Sequence, residues 1–217
     1  MTEDVRRPLK SRSTAWARAV AQRLASSQIT PNQISLASVV FAALGAFFLL
    51  SQREPIALVI AAVCIQLRLL CNLIDGMVAI EGAKGTPVGA LYNEIPDRIA
   101  DSLFLIAAGY GCGYPTLGWF CALAAAVTAY IRVLGGSLGL PQDFRGPQSK
   151  PQRMAVLTVA CLAGALETAV FNSQWSILTI GLWIIAIGSV LTCVMRTRAI
   201  AIQLRARQTP QVGSSRA

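Results

Sequence analysis

The sequence predicts an all-α, polytopic membrane protein: six transmembrane helices, preceded by an amphipathic helix at the membrane interface. Three observations carry this reading. Of 217 residues, 54% are hydrophobic and only 13% are charged, about half the charged share of an ordinary soluble domain. Apolar runs of the length that crosses a bilayer, about 20 residues, recur along most of the chain. The basic residues gather on alternate connections between those runs, the pattern that orients helices in membranes.

Residues 1–30 make a first segment that opens on a charged stretch. Within it, residues 13–26 (STAWARAVAQRLAS) place Trp16, Val20 and Leu24 at helical spacing opposite Arg18 and Gln22. That suits a helix lying on the inner leaflet, or an ordinary surface helix packed on the bundle. Thr30 then offers a helix cap and Pro31 a first helical position. The six-helix domain covers 31–198, with spans at roughly 33–50, 56–79, 89–110, 116–137, 153–172 and 174–195. The connection 81–88 (EGAKGTPV) is rich in glycine and ends on a helix-restart signal, Thr86-Pro87. Gly111, Gly113 and Pro115 mark a tight turn before the fourth span, and residues 135–153 form the longest polar connection. The tail, 199–217, is basic and then rich in Gln, Pro, Gly and Ser, a composition that reads as disordered.

The net charge of +9 is unevenly distributed. With the N-terminus inside, the inner side collects Arg6, Arg7, Lys10, Arg12, Arg18, Arg23, Lys84, Arg145, Lys150, Arg153 and the arginines from Arg196 to Arg216. The outer side keeps only Arg53. Both termini are therefore expected in the cytoplasm, and for a bacterial source the membrane is the inner one. The basic excess then reflects topology and contact with anionic membrane lipids, and no folded basic domain exists to bind nucleic acid. Six cysteines without CxxC spacing and no histidine argue against a zinc centre. Cys112 and Cys121 are the one pair that the topology brings toward the same face. The first apolar run begins only after about 30 residues and lacks a convincing cleavage site, so it reads as a retained helix.

The chemistry is concentrated between Asn72 and Asp101. This stretch holds Asp75, Glu81, Glu94, Asp97 and Asp101, five of the ten acidic residues. Ionisable groups beside membrane spans are costly and usually face a cavity, a metal or a substrate. Gly89, Asn93, Asp97 and Asp101 recur every four residues and so share one helix face. Facing them across a short gap, Asn72 and Asp75 complete a set of hard oxygen donors suited to Mg²⁺ or Mn²⁺. The alternative is that these groups cap helices and pair with Arg98, Lys84 or Arg68.

At these residues the chain resembles the CDP-alcohol phosphatidyltransferases, whose signature is D-x2-D-G-x2-A-R-x8-G-x3-D-x3-D. Asp75, Gly76, Ala79, Gly89 and Asp97 match it in ungapped register over 72–97. Asn72 and Asn93 replace the first and third aspartates, and Ile80 replaces the arginine. The six spans, the leading amphipathic helix and the phrase TPNQIS at residues 30–35 are similar to the family across most of the chain. The resemblance implies transfer of a phosphatidyl or similar substituted phosphoryl group from CDP-diacylglycerol or another CDP-alcohol to an alcohol acceptor, with release of CMP. It implies Asn72, Asp75, Asn93 and Asp97 as metal positions, Asp97 as the base, Gly76, Ala79 and Gly89 at the CDP moiety, and a homodimer. A catalytically silent relative that binds lipid or a partner protein is the alternative.

The departures have consequences. Two amides in place of carboxylates remove two negative charges from the expected metal shell, and Glu94 and Asp101 are the neighbours able to restore them. Without the motif arginine, Lys84 and Arg98 are the candidates for the nucleotide phosphates. Arg132, Arg145, Lys150 and Arg153 are expected to converge at the mouth of the same cavity, where they would hold the phosphate of the acceptor or of a lipid. Cations there favour a phosphorylated acceptor.

Overall fold

A computed structural model describes residues 14–51, 54–82, 84–171 and 176–208. These residues form seven helices: α1 (Ala15–Ala25), α2 (Pro31–Leu50), α3 (Pro55–Glu81), α4 (Gly89–Gly111), α5 (Pro115–Ser137), α6 (Lys150–Phe171) and α7 (Ser176–Gln208). Five of them, α2, α3, α5, α6 and α7, are long and apolar enough to cross a membrane. The sixth expected span, α4, has the length but carries Glu94, Asp97, Arg98 and Asp101 in its first half. The protein is an integral membrane protein, and α4 turns Asp97 and Asp101 inward while Leu91, Ile95 and Ile99 stay exposed on its outer face.

The long helices close into a ring. α3 packs on α2, α2 on α4, α4 on α5, α5 on α7, α7 on α6, and α6 returns to α3. Association between helices in lipid depends on close packing, so small residues mark the contacts. At the α4–α5 crossing a Cβ on Gly109 would stand 2.6 Å from the Gly118 Cα, and neither position has room for a side chain. The interior is built from Ile65, Phe104, Leu105, Leu157, Leu182 and Ile185, with many alanines between them. Large apolar side chains such as Phe47, Leu123, Val159 and Ile202 point outward, as they must where lipid is the solvent.

The start of the first span is as the sequence suggested. Thr30 Oγ1 accepts from the Gln33 amide and the Gln33 side chain accepts from the Thr30 amide, a reciprocal capping box beside Pro31. α1 seats on α3 through Ala17 and Ala21, which meet Leu73, Ile74, Met77 and Val78, so its small residues face the bundle. Trp16 and Val20 point away from the bundle, 53% and 39% exposed. One expectation needs correction: the last helix continues to Gln208, ten residues into the segment expected to be disordered. Ala199 and Ile200 are buried there, and Arg207 donates to the Leu138 and Gly139 carbonyls beyond the end of α5. Residues 209–217 of that tail lie outside the described residues, as does the charged start of the chain. All six cysteines are free thiols, Cys112 and Cys121 included.

Candidate active site

The start of α2, the end of α3, the start of α4, the end of α5 and the start of α6 all meet at the end of the ring that carries α1. The Gly-rich connection from α3 to α4 turns there and roofs a small open cleft. Its walls are Pro31, Asn32 and Ser35 from α2, Asp75, Gly76 and Ala79 from α3, and Gly89, Ala90 and Asn93 from α4, with Lys84, Gly85 and Thr86 above.

Asp75 is buried at the cleft wall. Its Oδ2 accepts a 2.6 Å hydrogen bond from Ser35 Oγ, while its Oδ1 is buried without a hydrogen-bond partner. An unpaired buried carboxylate oxygen is costly, so this atom calls for a cation or a donor. Asn93 lines the same cleft. The other two motif positions behave differently. The Lys150 ammonium donates to both Asn72 Oδ1 and Asp97 Oδ2, and neither Asn72 nor Asp97 is part of the cleft wall.

Asp97 is ringed by cations. Besides Lys150 it meets Arg68 at 3.3 Å and, more distantly, Arg98 at 3.8 Å. Deeper in the bundle, Asp101 takes Arg68 on one oxygen at 2.6 Å and Arg153 on the other at 2.9 Å. All three side chains are buried. Nearer the surface, Glu94 pairs with Arg132 at 2.7 Å and with Arg98 at 3.4 Å. One ion-pair network thus runs from Arg132 through Glu94, Arg98, Asp97, Lys150, Arg68 and Asp101 to Arg153. Glu94 and Asp101, expected to supplement the metal shell, have their oxygens committed to arginines.

The expected nucleotide positions divide as well. Gly76, Ala79, Gly89 and Lys84 line the cleft. The Lys84 ammonium meanwhile ties the roof down by donating to the Ser27 and Ile29 carbonyls. Arg98 is not on the cleft wall and spends its charge on Glu94 and Asp97.

The four cations expected to converge as one phosphate cluster are spread out instead. Arg153, 1% exposed, donates to Asp101 and to the Gln148 carbonyl and is out of reach of solvent. Arg132 bridges Glu94 and Gln142 and lies 5.7 Å from the centre of the Phe144 ring. Arg145 is exposed and pairs with Asp143. The correction has a physical reason: each cation found a nearer carboxylate or amide than a shared pocket could offer.

Two contributors were missed by the sequence reading. Ser35 lies in the TPNQIS phrase, which was the available signal. Arg196 of α7 is buried and donates to the Arg145 and Thr128 carbonyls at 2.9 and 2.7 Å, and its sequence context is only that of a span end.

The donor set fits an oxygen-ligated divalent ion, because Asp75 offers an unsatisfied carboxylate oxygen beside the Asn93 amide. Among the described residues no three acidic, histidine or cysteine side chains gather around one point, so such a site draws on amide oxygen as well, and Asn93 is the asparagine that lines the cleft with Asp75.

Comparison with known proteins agrees with this geometry. The chain matches the family described as CDP-alcohol phosphatidyltransferase over residues 28–195. It is 28% identical over 190 residues to a phosphatidylinositol phosphate synthase of Mycolicibacterium smegmatis, covering 84% of this chain and 82% of that protein. It is 27% identical over 179 residues to the inner membrane protein YnbA of Escherichia coli, covering 80% and 85%. The fold is similar to the Mycobacterium tuberculosis phosphatidylinositol phosphate synthase crystallised with CDP-DAG (TM-score 0.71, 22% identity, 86% of this chain and 94% of that one). The same enzyme in complex with manganese and citrate gives TM-score 0.71 at 23% identity, over 85% and 88%. With the motif in register, the helical ring around it and the match spanning most of its length, this chain belongs to the CDP-alcohol phosphatidyltransferase family, membrane enzymes that use Mg²⁺ or Mn²⁺.

Proposed function

We propose that this enzyme transfers the phosphatidyl group of CDP-diacylglycerol to a phosphorylated alcohol, releasing CMP. The observation that carries the acceptor class is the charge balance of the site. Among the described residues Arg68, Arg98, Arg132, Lys150 and Arg153 pair with Glu94, Asp97 and Asp101. Adding Asp75 still leaves one cation in excess, and Arg196 donates its hydrogen bonds to the Arg145 and Thr128 carbonyls. A neutral or cationic alcohol gains nothing from that excess, whereas a phosphate forms charge-assisted bonds with it. The curated relatives named as phosphatidylinositol phosphate synthases support the same class and make an inositol phosphate the first acceptor to try.

In this reading Asp75, Asn93, Asn72 and Asp97 are the positions available to a divalent ion. Held there, such an ion would supply positive charge to the pyrophosphate and to the charge that develops on transfer. Ser35 fixes the Asp75 carboxylate, and Gly76, Ala79 and Gly89 leave the cleft wall low enough for the nucleotide to lie against it. The acceptor hydroxyl attacks the phosphorus that bears the diacylglycerol. The bond to the CMP oxygen breaks, and Asp97 takes the hydroxyl proton. The site opens to the cytoplasm with both termini on that side, a reading supported by the charge asymmetry of the connections. A homodimer belongs to the reading through the family resemblance, and native mass spectrometry in detergent tests it.

The deciding experiment incubates purified protein with CDP-diacylglycerol, Mg²⁺ or Mn²⁺, and inositol phosphate, glycerol phosphate, inositol, serine or choline, with products identified by mass. Turnover restricted to the phosphorylated acceptors is the expected result. Robust transfer to serine or choline overturns the acceptor class.

A further inference from the structure

We propose that the Lys150 ammonium is a resident cation of the catalytic centre, standing where a second divalent ion would sit, so that the site takes one metal ion. The inference rests on the reading that a divalent ion binds here at all, and it specifies how many.

The four motif donors separate into two pairs. Asp75 and Asn93 line the cleft, and Asp75 keeps a buried oxygen without a partner. Asn72 and Asp97 are both bound by one ammonium group. A divalent ion between those two would lie against the lysine, where repulsion at a few ångströms in a poorly screened interior is severe. The charges lead to the same division. Two amides and two carboxylates bring only two negative charges, half of what a pair of divalent ions carries. Lys150 takes up Asp97, and Asp75 is the carboxylate left for a single ion.

The lysine is held in place. Lys150 opens α6, and one turn later Arg153 is fixed by Asp101 and by the Gln148 carbonyl. The helix start is therefore anchored to α4, and the ammonium is aimed from a rigid base. A donor set with fewer negative charges has room for fewer metal ions, and the chain supplies one cation itself.

The test counts ions directly. Purified protein in detergent is equilibrated with saturating Mn²⁺, and bound metal per chain is measured together with the electron paramagnetic resonance spectrum. Wild type is expected to bind a single Mn²⁺ per chain with the spectrum of an isolated ion. The Asn72→Asp/Lys150→Met double variant, with one of the two missing donor charges restored and the ammonium gone, is expected to bind two and to show a spin-coupled pair, as ions about 3.5–4 Å apart do. A coupled pair in wild type overturns the proposal, and so does a folded double variant that still binds one ion. If the double variant fails to fold, the wild-type spectrum alone decides. Wild type that binds no Mn²⁺ sinks the divalent-ion reading beneath the proposal, a different outcome from binding two.

Discussion

Ser35 Oγ lies 2.6 Å from Asp75 Oδ2, joining the start of α2 to the end of α3 and committing one carboxylate oxygen while its twin stays unpaired. The hydroxyl thus sets the direction in which Asp75 presents its free oxygen. Ser35→Ala should leave the fold intact but lower activity about 10- to 100-fold, the usual cost of losing a group that orients a ligand. The loss should appear as a raised Mn²⁺ requirement, measured by metal titration of initial rates. An unchanged requirement would remove Ser35 from the site.

Asp75→Asn and Asp97→Asn should each reduce transfer by about three orders of magnitude or more, as expected for groups acting on the reacting centre. Both variants should elute from size exclusion as wild type does. Near-normal turnover in either would end its assigned role.

Asp101 is a different case. Both of its oxygens are taken by buried arginines, so Asp101→Asn leaves Arg68 and Arg153 short of a counter-charge. Breaking a buried pair in this way costs about 3–5 kcal/mol. The expected result is a marked fall in thermal midpoint, with the Mn²⁺ requirement of the surviving folded protein unchanged. A normal midpoint with altered metal dependence would place Asp101 among the ligands instead.

Arg132 sits at the outer end of the ion-pair network, within 2.7 Å of Glu94. If it helps to receive the acceptor phosphate, Arg132→Ala should raise the acceptor KM about tenfold or more, the value of one charge-assisted bond of about 1.5–3 kcal/mol. The KM for CDP-diacylglycerol should move far less. The opposite split would assign this arginine to the nucleotide lipid.

The packing of the ring can be tested apart from its chemistry. Gly118→Val should destabilise strongly, because even a Cβ at Gly118 lies 2.8 Å from the Leu105 carbonyl oxygen and 2.9 Å from the Gly109 Cα. Overpacking of this kind costs about 1–3 kcal/mol or more, and loss of the monodisperse detergent peak is the readout.

The helices were legible because proline and glycine punctuate them: Pro31, Pro55 and Pro115 each stand in a first helical turn. Motif spacing likewise placed Asp75 and Asn93 on two helices that share a cleft. What spacing could not tell was the choice of partners. Whether Asp101 faces a metal or an arginine depends on which helices stand across the ring from α4, here α3 and α6, and the ring order is not the chain order. The face of α1 that meets α3 was hidden for a related reason. Ala17 and Ala21 carry little hydrophobic signal, yet small side chains allow the close approach to α3 that Trp16 would block. The tail beyond Arg198 reads as a solvated basic run until α5 is seen to offer its terminal carbonyls to Arg207.

Ring order differing from chain order also bears on how the protein is made. Asp97 and Asp101 leave the ribosome after Arg68 but well before Lys150 and Arg153, so during synthesis α4 presents its carboxylates with only part of their compensation. Until α6 arrives to close the ring against α3, that helix is a poor candidate for lateral release into lipid, and it is best held at the translocon or by an insertase. A chain stopped ahead of α6 would carry every motif residue yet be a substrate for membrane quality control.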